Sequence, residues 1–217
     1  MEYFSDSERT AELFLRVLCD PLQTVDFVYI LGHTDANASN VLRRGANLAR
    51  RYNVRVGICG LEGAPPYAGA KAWEKELLLR GAKEGTIVSI SQTLDLIPVP
   101  CTDVEAISLV RYAAERGMRG VVVVTPPFHA VRTFISFVSA MKRLDIWVRV
   151  HMVVSEFQDW DEKVQNTQGR PAVTRAEEIA SEMGETIDKV RHIIKINQDT
   201  ISIDTSVSDD DDENSTL

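Results

Sequence analysis

The hydrophobic pattern of the chain is strongest where four valines follow one another, Val121 to Val124. An apolar run without polar alternation predicts a strand that is buried on both faces, as in the interior of a parallel sheet. Pro126 and Pro127 end this strand because proline cannot donate to a hydrogen-bonded ladder. Apolar residues then recur at helical spacing over residues 128–141. The pattern therefore predicts a buried strand, a sharp turn and a helix.

The same alternation of apolar runs and helical periods extends in both directions from this junction. The other predicted strands are Phe27–Leu31, Arg55–Cys59, Thr86–Ile90 and Ile146–Val154. The predicted helices cover residues 7–18, 41–52, 70–80, 102–115, 128–143 and 173–196, the last interrupted at Gly184. Strands and helices that alternate in this way form right-handed βαβ units. The predicted fold is α/β: a three-layer αβα sandwich whose doubly wound, mostly parallel sheet has about five strands, a Rossmann-like architecture.

Length and composition favour one globular domain. The 217 residues are 44% hydrophobic, which supports a single domain over residues 1–200 with its core in residues 25–155. Residues 201–217 have no apolar period and contain an acidic run, so a disordered acidic tail is expected there. Six of the 32 acidic residues lie in residues 204–213, so the rest of the chain, with 24 basic residues, is nearly neutral.

Charge and hydropathy also limit the partners and the location. A nucleic-acid partner is not expected, because binding nucleic acid requires a basic face. No apolar stretch approaches the roughly 20 residues that span a bilayer, and the first residues lack the pattern of a signal peptide. The three cysteines are scattered, as is usual in a reducing compartment. A cytoplasmic protein without a membrane partner is therefore predicted.

The strand–turn–helix junction carries the first candidate chemistry. His129 and Arg132 are three residues apart and so share one helix face. They follow the end of a buried strand, where open α/β sheets bind their ligands, and a helix amino terminus favours anions. His33 joins them if the strands at 27–31 and 121–124 are neighbours, as in the commonest doubly wound order. Alternatively, a loop carbonyl satisfies the His and a nearby acid pairs with the Arg.

Other motifs have structural and functional interpretations. Thr102-x-x-Glu105 matches a capping box, and the residues alone favour that structural role. Gly32 and Gly60 either end their strands or allow a ligand to approach the backbone. His33 and His129 with Asp35 could bind a metal, but they lack a fixed spacing, so no metal site is predicted. The motifs GxGxxG, GxxxxGK[ST] and GxSxG are absent, which argues against classical dinucleotide, P-loop and serine-hydrolase chemistry.

Taken together, these motifs resemble the SanA/YdcF/ElyC-like family, a domain of unknown function with a Rossmann-like fold. The resemblance covers roughly residues 25–155. It rests on residues 26–32, Arg44, Ile58-Cys59-Gly60, Thr102-x-x-Glu105-Ala106 and Thr125-x-x-Phe128-His129-x-x-Arg132. It implies one pocket that contains Thr102, Glu105, Thr125, His129 and Arg132 and is lined by Gly32 and Gly60. It also implies a nucleotide-like or phosphate-bearing ligand, S-adenosylmethionine among the candidates.

Two functions follow as hypotheses. In the first, the chain binds or acts on an anionic or nucleotide-like small molecule. His129 and Glu105 are then the catalytic candidates, and the ligand-binding candidates are Gly32, His33, Gly60, Thr102, Thr125 and Arg132. In the second, the pocket is degenerate and the chain is a regulatory module whose acidic tail, or residues 155–172, recruits a partner. The second is favoured by Gly32-His33 and Cys59-Gly60-Leu61, which replace a double glycine and Ser-Gly-Gly of the family.

Overall fold

A computed structural model of the chain describes residues 22, 24–63, 67–92, 101–155, 161, 163–164 and 173–192. Its central sheet has five parallel strands in the order β3-β2-β1-β4-β5. The strands are β1 (Phe27–Ile30), β2 (Arg55–Cys59), β3 (Ile87–Ile90), β4 (Gly120–Thr125) and β5 (Arg149–Val154). This is the strand order of a doubly wound sheet.

Helices connect the strands and cover both faces of the sheet. They are α1 (Asp35–Tyr52), α2 (Ala70–Leu79), α3 (Thr102–Glu115) and α4 (Ala130–Leu144), the last preceded by a 3₁₀ turn at Pro127–His129. No helix in the described ranges combines the length and the hydrophobicity that crossing a bilayer requires.

Two hydrophobic clusters, one on each face of the sheet, form the core. Val28 and Ile30 of β1 pack in the cluster that contains α1 and α2. Phe27 and Tyr29 belong to the cluster that contains α3 and α4. Successive side chains of a strand point to opposite faces, so β1 contributes to both clusters. The predicted three-layer architecture is confirmed.

The valine strand is at the centre of this arrangement. Every residue of β4 is buried, and the strand pairs with β1 on one side and β5 on the other, with Ile30 opposite Val124. The sequence placed His33 near His129 only if β1 and β4 are neighbours. This neighbouring arrangement is confirmed.

The largest difference from the predicted elements is the start of α1. The helix predicted from residue 41 begins six residues earlier, at Asp35. Asn37 and Ala38 are buried against the rest of the protein, and this packing outweighs the weak helix propensity of Asn and Ser. The amino terminus of α1 therefore lies immediately beyond β1.

The described residues form two compact units. The larger contains the sheet and its helices. A short strand β6 covers Lys163–Val164. The smaller unit contains β7 (Val173–Thr174), α5 (Arg175–Met183) and a helical segment at 187–192. Gly184 ends α5 in the left-handed conformation, φ 64°, which is the interruption that the sequence predicted. The predicted helix at 7–18 and the predicted tail at 201–217 lie outside the described residues.

Candidate functional site

The carboxyl ends of β1 and β4 are adjacent at the middle of the sheet. The chain leaves β1 towards α1 on one face, and it leaves β4 towards α4 on the other. A doubly wound sheet opens a crevice at such a point, and ligands of these folds bind there. We call this region the β1–β4 crevice; it is formed by residues 32–34, residues 125–129 and the side chains that reach them.

Two histidines and a threonine meet in the crevice. His33 Nε2 lies 3.3 Å from Thr125 Oγ1, and both residues are buried. The rings of His33 and His129 lie 5.2 Å apart and nearly perpendicular. Burial lowers the pKa of His33 well below its usual value, and the neighbouring His129 lowers it further. The His33 imidazole is therefore neutral at pH 7, with one nitrogen as a donor and the other as an acceptor.

His129 and Arg132 occupy the turn into α4. His129 is the last residue of the 3₁₀ turn, and Arg132 is the third residue of the helix. Enclosure of the His129 ring lowers its pKa to about 4, and the Arg132 charge contributes to this shift. Arg132 is solvent-exposed. At neutral pH the turn therefore carries one exposed cation and one uncharged imidazole.

Glu105 reaches the crevice from the first turn of α3. It is 1% exposed, and its Oε2 accepts hydrogen bonds from the Tyr29 hydroxyl at 2.6 Å and the Gly32 amide at 2.9 Å. Burial raises the pKa of Glu105 to about 7, although these two hydrogen bonds lower it. Its Oε1 is buried without a hydrogen-bond partner among the described residues. The site thus holds a carboxyl group that changes protonation near neutral pH.

The capping-box interpretation of Thr102 and Glu105 is wrong. The residue before α3 is Cys101, and the helix start has no side-chain capping hydrogen bond. Glu105 donates its backbone N–H to the Cys101 carbonyl, at 2.9 Å, while its side chain turns inward to Tyr29. Tyr29 offers a buried hydroxyl that needs a partner, and this long-range bond replaces the local cap.

The remaining predicted site residues occupy different positions. Thr102 is the half-buried first residue of α3, one turn before Glu105. Gly60 follows β2, and its N–H donates to the Ile90 carbonyl at 2.8 Å. A Cβ at residue 60 would lie only 2.8 Å from that same oxygen. The close approach of β3 therefore accounts for this glycine without a ligand.

Sequence reasoning missed two parts of the site. Tyr29 was counted only as a strand residue, yet it holds Glu105 in place, and burial followed by the Glu105 charge raises its pKa. The second missed part is the start of α1. Thr34 and Asn37 are both buried there, and Asn37 Nδ2 lies 3.4 Å from Thr34 Oγ1. A tyrosine in an otherwise non-polar buried strand was the one available signal, because its hydroxyl must find a partner.

Metal binding and catalysis by a cysteine thiolate find little support in the geometry of the described residues. Within the described ranges, His, Cys, Asp and Glu side chains form no group of three that could hold a metal, and Asp35 is exposed at the start of α1. The Cys59 thiol accepts a hydrogen bond from Gln92 Nε2 at 3.3 Å. Burial, followed by the Glu105 charge, raises the pKa of Cys59 to about 12, so it is not a thiolate nucleophile at neutral pH.

Comparison with known proteins adds few relatives. The family model "Sigma-70 region 3" matches residues 162–216, and no curated protein is significantly similar to the chain. Among solved structures, the chain is similar to a universal stress protein in complex with cAMP, with 16% identity and a TM-score of 0.37 over 61% of this chain and 100% of that chain.

Two further solved structures are comparably distant. One is the universal stress protein from Archaeoglobus fulgidus in complex with dAMP, with 15% identity and a TM-score of 0.36 over 61% of this chain and 98% of that chain. The other is a conserved protein from Thermus thermophilus, with 13% identity and a TM-score of 0.32 over 82% of this chain and 90% of that chain. The assignment of this chain to the doubly wound α/β class rests on its own strand order.

Proposed function

We propose that this protein binds an anionic small molecule, phosphorylated or nucleotide-like, in the β1–β4 crevice. S-adenosylmethionine, a nucleotide-like sulfonium whose anionic group is its carboxylate, is one candidate, in agreement with the SanA/YdcF/ElyC-like resemblance, and the cytoplasm is the proposed location. The observation that carries the proposal is the contact of His33, Thr125 and His129 beside the exposed Arg132. His33 lies 92 residues before Thr125 in the chain, and it meets the segment from Thr125 to Arg132 where doubly wound folds bind ligands.

The charges at this place favour a ligand that presents an anionic group, such as a phosphate or a carboxylate, to Arg132. Arg132 carries a planar guanidinium that matches the geometry of a carboxylate or phosphate. Helix α1 and the turn into α4 both begin at this edge of the sheet, and helix amino termini favour negative charge. Because the pKa values of His33 and His129 are lowered, the imidazoles add hydrogen-bonding groups without adding charge.

A reaction at this site would use Glu105 and His129. A group whose pKa lies near 7 is well suited to move a proton at neutral pH, and burial places the pKa of Glu105 there. Tyr29 and Gly32 hold one carboxyl oxygen, so the other is the oxygen proposed to exchange the proton. His129, neutral at pH 7, would accept a hydrogen bond or a proton from the ligand.

Isothermal titration calorimetry against nucleotides, S-adenosylmethionine and sugar phosphates tests the binding proposal. Arg132→Ala should weaken binding of the best ligand at least about tenfold, because a charge-assisted hydrogen bond is lost. The double variant with His129→Ala should weaken it further. Arg143→Ala is the matched control, since Arg143 is an exposed arginine in the last turn of the same helix.

Two outcomes would contradict the proposal. One is that no ligand of the panel binds the wild-type protein. The other is that the best ligand binds the Arg132→Ala, His129→Ala double variant as tightly as the wild type. Urea denaturation of each variant shows whether a loss of binding reflects the site or the stability of the fold.

As a second candidate, we propose a regulatory role for the C-terminal segment. The specific observation is that residues 162–216 match the Sigma-70 region 3 model, a match that overlaps a separate compact unit. In this role the segment would recruit a protein partner, while the crevice would be inactive. A full chain that captures a partner lost on removal of residues 162–217, together with no binding in the ligand panel, favours this role.

A further inference from the structure

A small cleft lies at the amino-terminal edge of the central sheet, opposite the edge that forms the β1–β4 crevice. Its volume is about 90 Å³. Three of its lining residues are cationic, Arg50, Arg55 and Lys83, and two more are polar, Asn53 and Thr86. The other lining residues are apolar, and none of the lining residues is acidic. We call this place the basic cleft.

Three segments of the chain bring the cations of the basic cleft together. Asn53 ends α1 in the left-handed conformation, φ 51°, and the chain enters β2 two residues later, at Arg55. The turn that contains Lys83 leads from α2 into β3. This turn lies beside the start of β2, because the Val56 N–H donates to the Thr86 carbonyl at 3.0 Å. The end of α1, the start of β2 and the turn before β3 therefore enclose one place.

Neutral groups hold two of the three cations in position. Arg50 Nη2 donates to Asn47 Oδ1 at 2.5 Å, and Lys83 Nζ donates to Asn53 Oδ1 at 3.1 Å. A Cβ at Gly81 would lie 2.9 Å from Arg50 Nη1, so the guanidinium lies against the turn that follows α2. The amide oxygens position these side chains and leave their positive charges uncompensated.

Within the described residues, no carboxylate forms an ion pair with these three cations. The ion pairs of that part of the chain involve other basic side chains. Glu84, the acidic residue next to Lys83 in the chain, is exposed and does not line the cleft. Three positive charges around one concave place repel one another, and an anion bound between them offsets this repulsion.

A structural role explains only part of the arrangement. Arg50 and Arg51 lie in the last turn of α1, where cations stabilise the negative end of a helix. This reason does not extend to Arg55, which begins a strand, or to Lys83, which lies four residues beyond the end of α2. Binding of an anion explains why all three cations line the same cleft.

Size and charge define the class of ligand. A volume of about 90 Å³ corresponds to about three water molecules at roughly 30 Å³ each, which suits one tetrahedral oxyanion better than a ring system. A guanidinium matches two oxygens of a phosphate, and a lysine ammonium adds a point charge. A nucleic acid is disfavoured, because the chain has 32 acidic residues against 24 basic ones and so repels a long polyanion.

We propose that the basic cleft binds a phosphate group, either free inorganic phosphate or the phosphate of a small phosphomonoester. Arg50, Arg55 and Lys83 supply the positive charge. Asn53 Nδ2 adds a neutral donor, since the Oδ1 of the same amide accepts from Lys83. The proposal is independent of the function proposed above, because it uses neither Arg132 nor any residue of the β1–β4 crevice.

Nuclear magnetic resonance titration of the isotope-labelled full chain with inorganic phosphate tests the proposal. The chloride concentration is lowered as phosphate is added, so that the ionic strength stays constant. The backbone amide signals of residues 53–55 and 82–86 should shift saturably. A parallel titration with glycerol phosphate shows which of the two sources of the phosphate group binds more tightly.

Charge-removing variants assign the binding to this cleft. The double variant Arg50→Gln, Lys83→Gln should weaken binding at least about fivefold, because two of the three cations are lost. The matched control is Lys142→Gln, Arg143→Gln, which makes the same change of charge at exposed residues in the last turn of α4. The control should leave the affinity within about twofold, because α4 covers the other face of the sheet and distant exposed charges are screened. Urea denaturation checks that each variant folds.

Four results would overturn the proposal. The amides of residues 53–55 and 82–86 do not shift saturably; the Arg50→Gln, Lys83→Gln variant binds as tightly as the wild type; or the control loses as much affinity as that variant, which would leave only an effect of net charge. The fourth is that a short single-stranded oligonucleotide shifts these amides and neither phosphate compound does, which would indicate a nucleic-acid partner.

The two proposed sites are distinguishable in the same titration. Phosphate that shifts only the amides of the β1–β4 crevice would support the function proposed above and overturn the basic cleft. Arg132→Ala should leave the shifts at residues 53–55 and 82–86 unchanged. Failure of every ligand to bind the crevice would leave the basic cleft standing, so the two proposals fail separately.

Discussion

The buried carboxyl of Glu105 should lower the stability of this protein as the pH rises. Burial raises its pKa from 4.5 to about 7. Between pH 4.5 and about pH 7, the folded state therefore keeps a proton that the unfolded chain has already released. Stability falls with pH wherever the folded state binds more protons. The stabilising contribution of protonated Glu105 to the free energy of unfolding is therefore fully present below about pH 4.5 and is lost as the pH rises through about 7.

The size of this effect follows from the shift. One pKa unit corresponds to about 1.4 kcal/mol, so a shift from 4.5 to about 7 amounts to about 3 kcal/mol. The lowered pKa values of His129 and His33 act in the opposite direction, because the unfolded chain binds those protons first. The wild-type profile alone therefore mixes opposing contributions.

Glu105→Gln isolates the carboxyl. A glutamine oxygen can accept from Tyr29 and Gly32 as Glu105 Oε2 does, so the variant resembles the protonated form. The histidine contributions are common to both proteins and largely cancel in the difference. The free energy of unfolding of the wild type minus that of Glu105→Gln should fall by about 3 kcal/mol between pH 4.5 and 7.5.

Urea denaturation at several pH values measures this difference. Glu115→Gln is the matched control, because Glu115 is in the same helix and its side chain is 70% exposed. The control should show a difference that varies by less than about 0.5 kcal/mol over the same range. A wild-type minus Glu105→Gln difference that stays constant or rises with pH would refute the reasoning.

Two further predictions use the same denaturation assay. Thr174→Ala should destabilise its helix by about 1 kcal/mol, because Thr174 Oγ1 accepts a hydrogen bond from the Glu177 amide. Thr102→Ala should change the stability by less than about 0.5 kcal/mol, since Thr102 does not cap α3. Equal losses of stability in the two variants would contradict this prediction. Gly60→Ala should cost about 1–3 kcal/mol, because its Cβ would lie 2.8 Å from the Ile90 carbonyl oxygen; an unchanged stability would contradict the packing argument.

The layers and the strand positions could be predicted because they depend on local patterns. The run from Val121 to Val124 needs burial on both faces, and a parallel sheet covered by helices provides it. The start of α1 could not be predicted in the same way. Asn37 is buried although it is polar, and only contacts from distant parts of the chain make a helix favourable there. Periodicity is informative where burial follows hydrophobicity, and it fails where a polar residue is buried.

The same limit explains the misassigned capping box. The chain contains Thr-x-x-Glu at Thr102–Glu105 and at Thr174–Glu177, and only the second caps its helix. Glu177 has its partners within the same turn. Glu105 instead meets Tyr29, which is 76 residues away in the chain. A local motif cannot show that a distant hydroxyl competes for the carboxylate, so the sequence alone could not separate the two cases.

The proposed crevice has a charged, exposed part and an uncharged interior, and the two contribute different interactions to ligand binding. Arg132 is exposed and charged, whereas the lowered pKa values of His33 and His129 leave the interior histidines neutral. Arg132 and the helix amino termini therefore attract the anion, while the interior histidines contribute hydrogen bonds. A negative ligand in contact with these groups would raise the pKa values of both histidines and of Glu105. Under the proposal, binding then takes up protons, so the affinity rises as the pH falls below about 7.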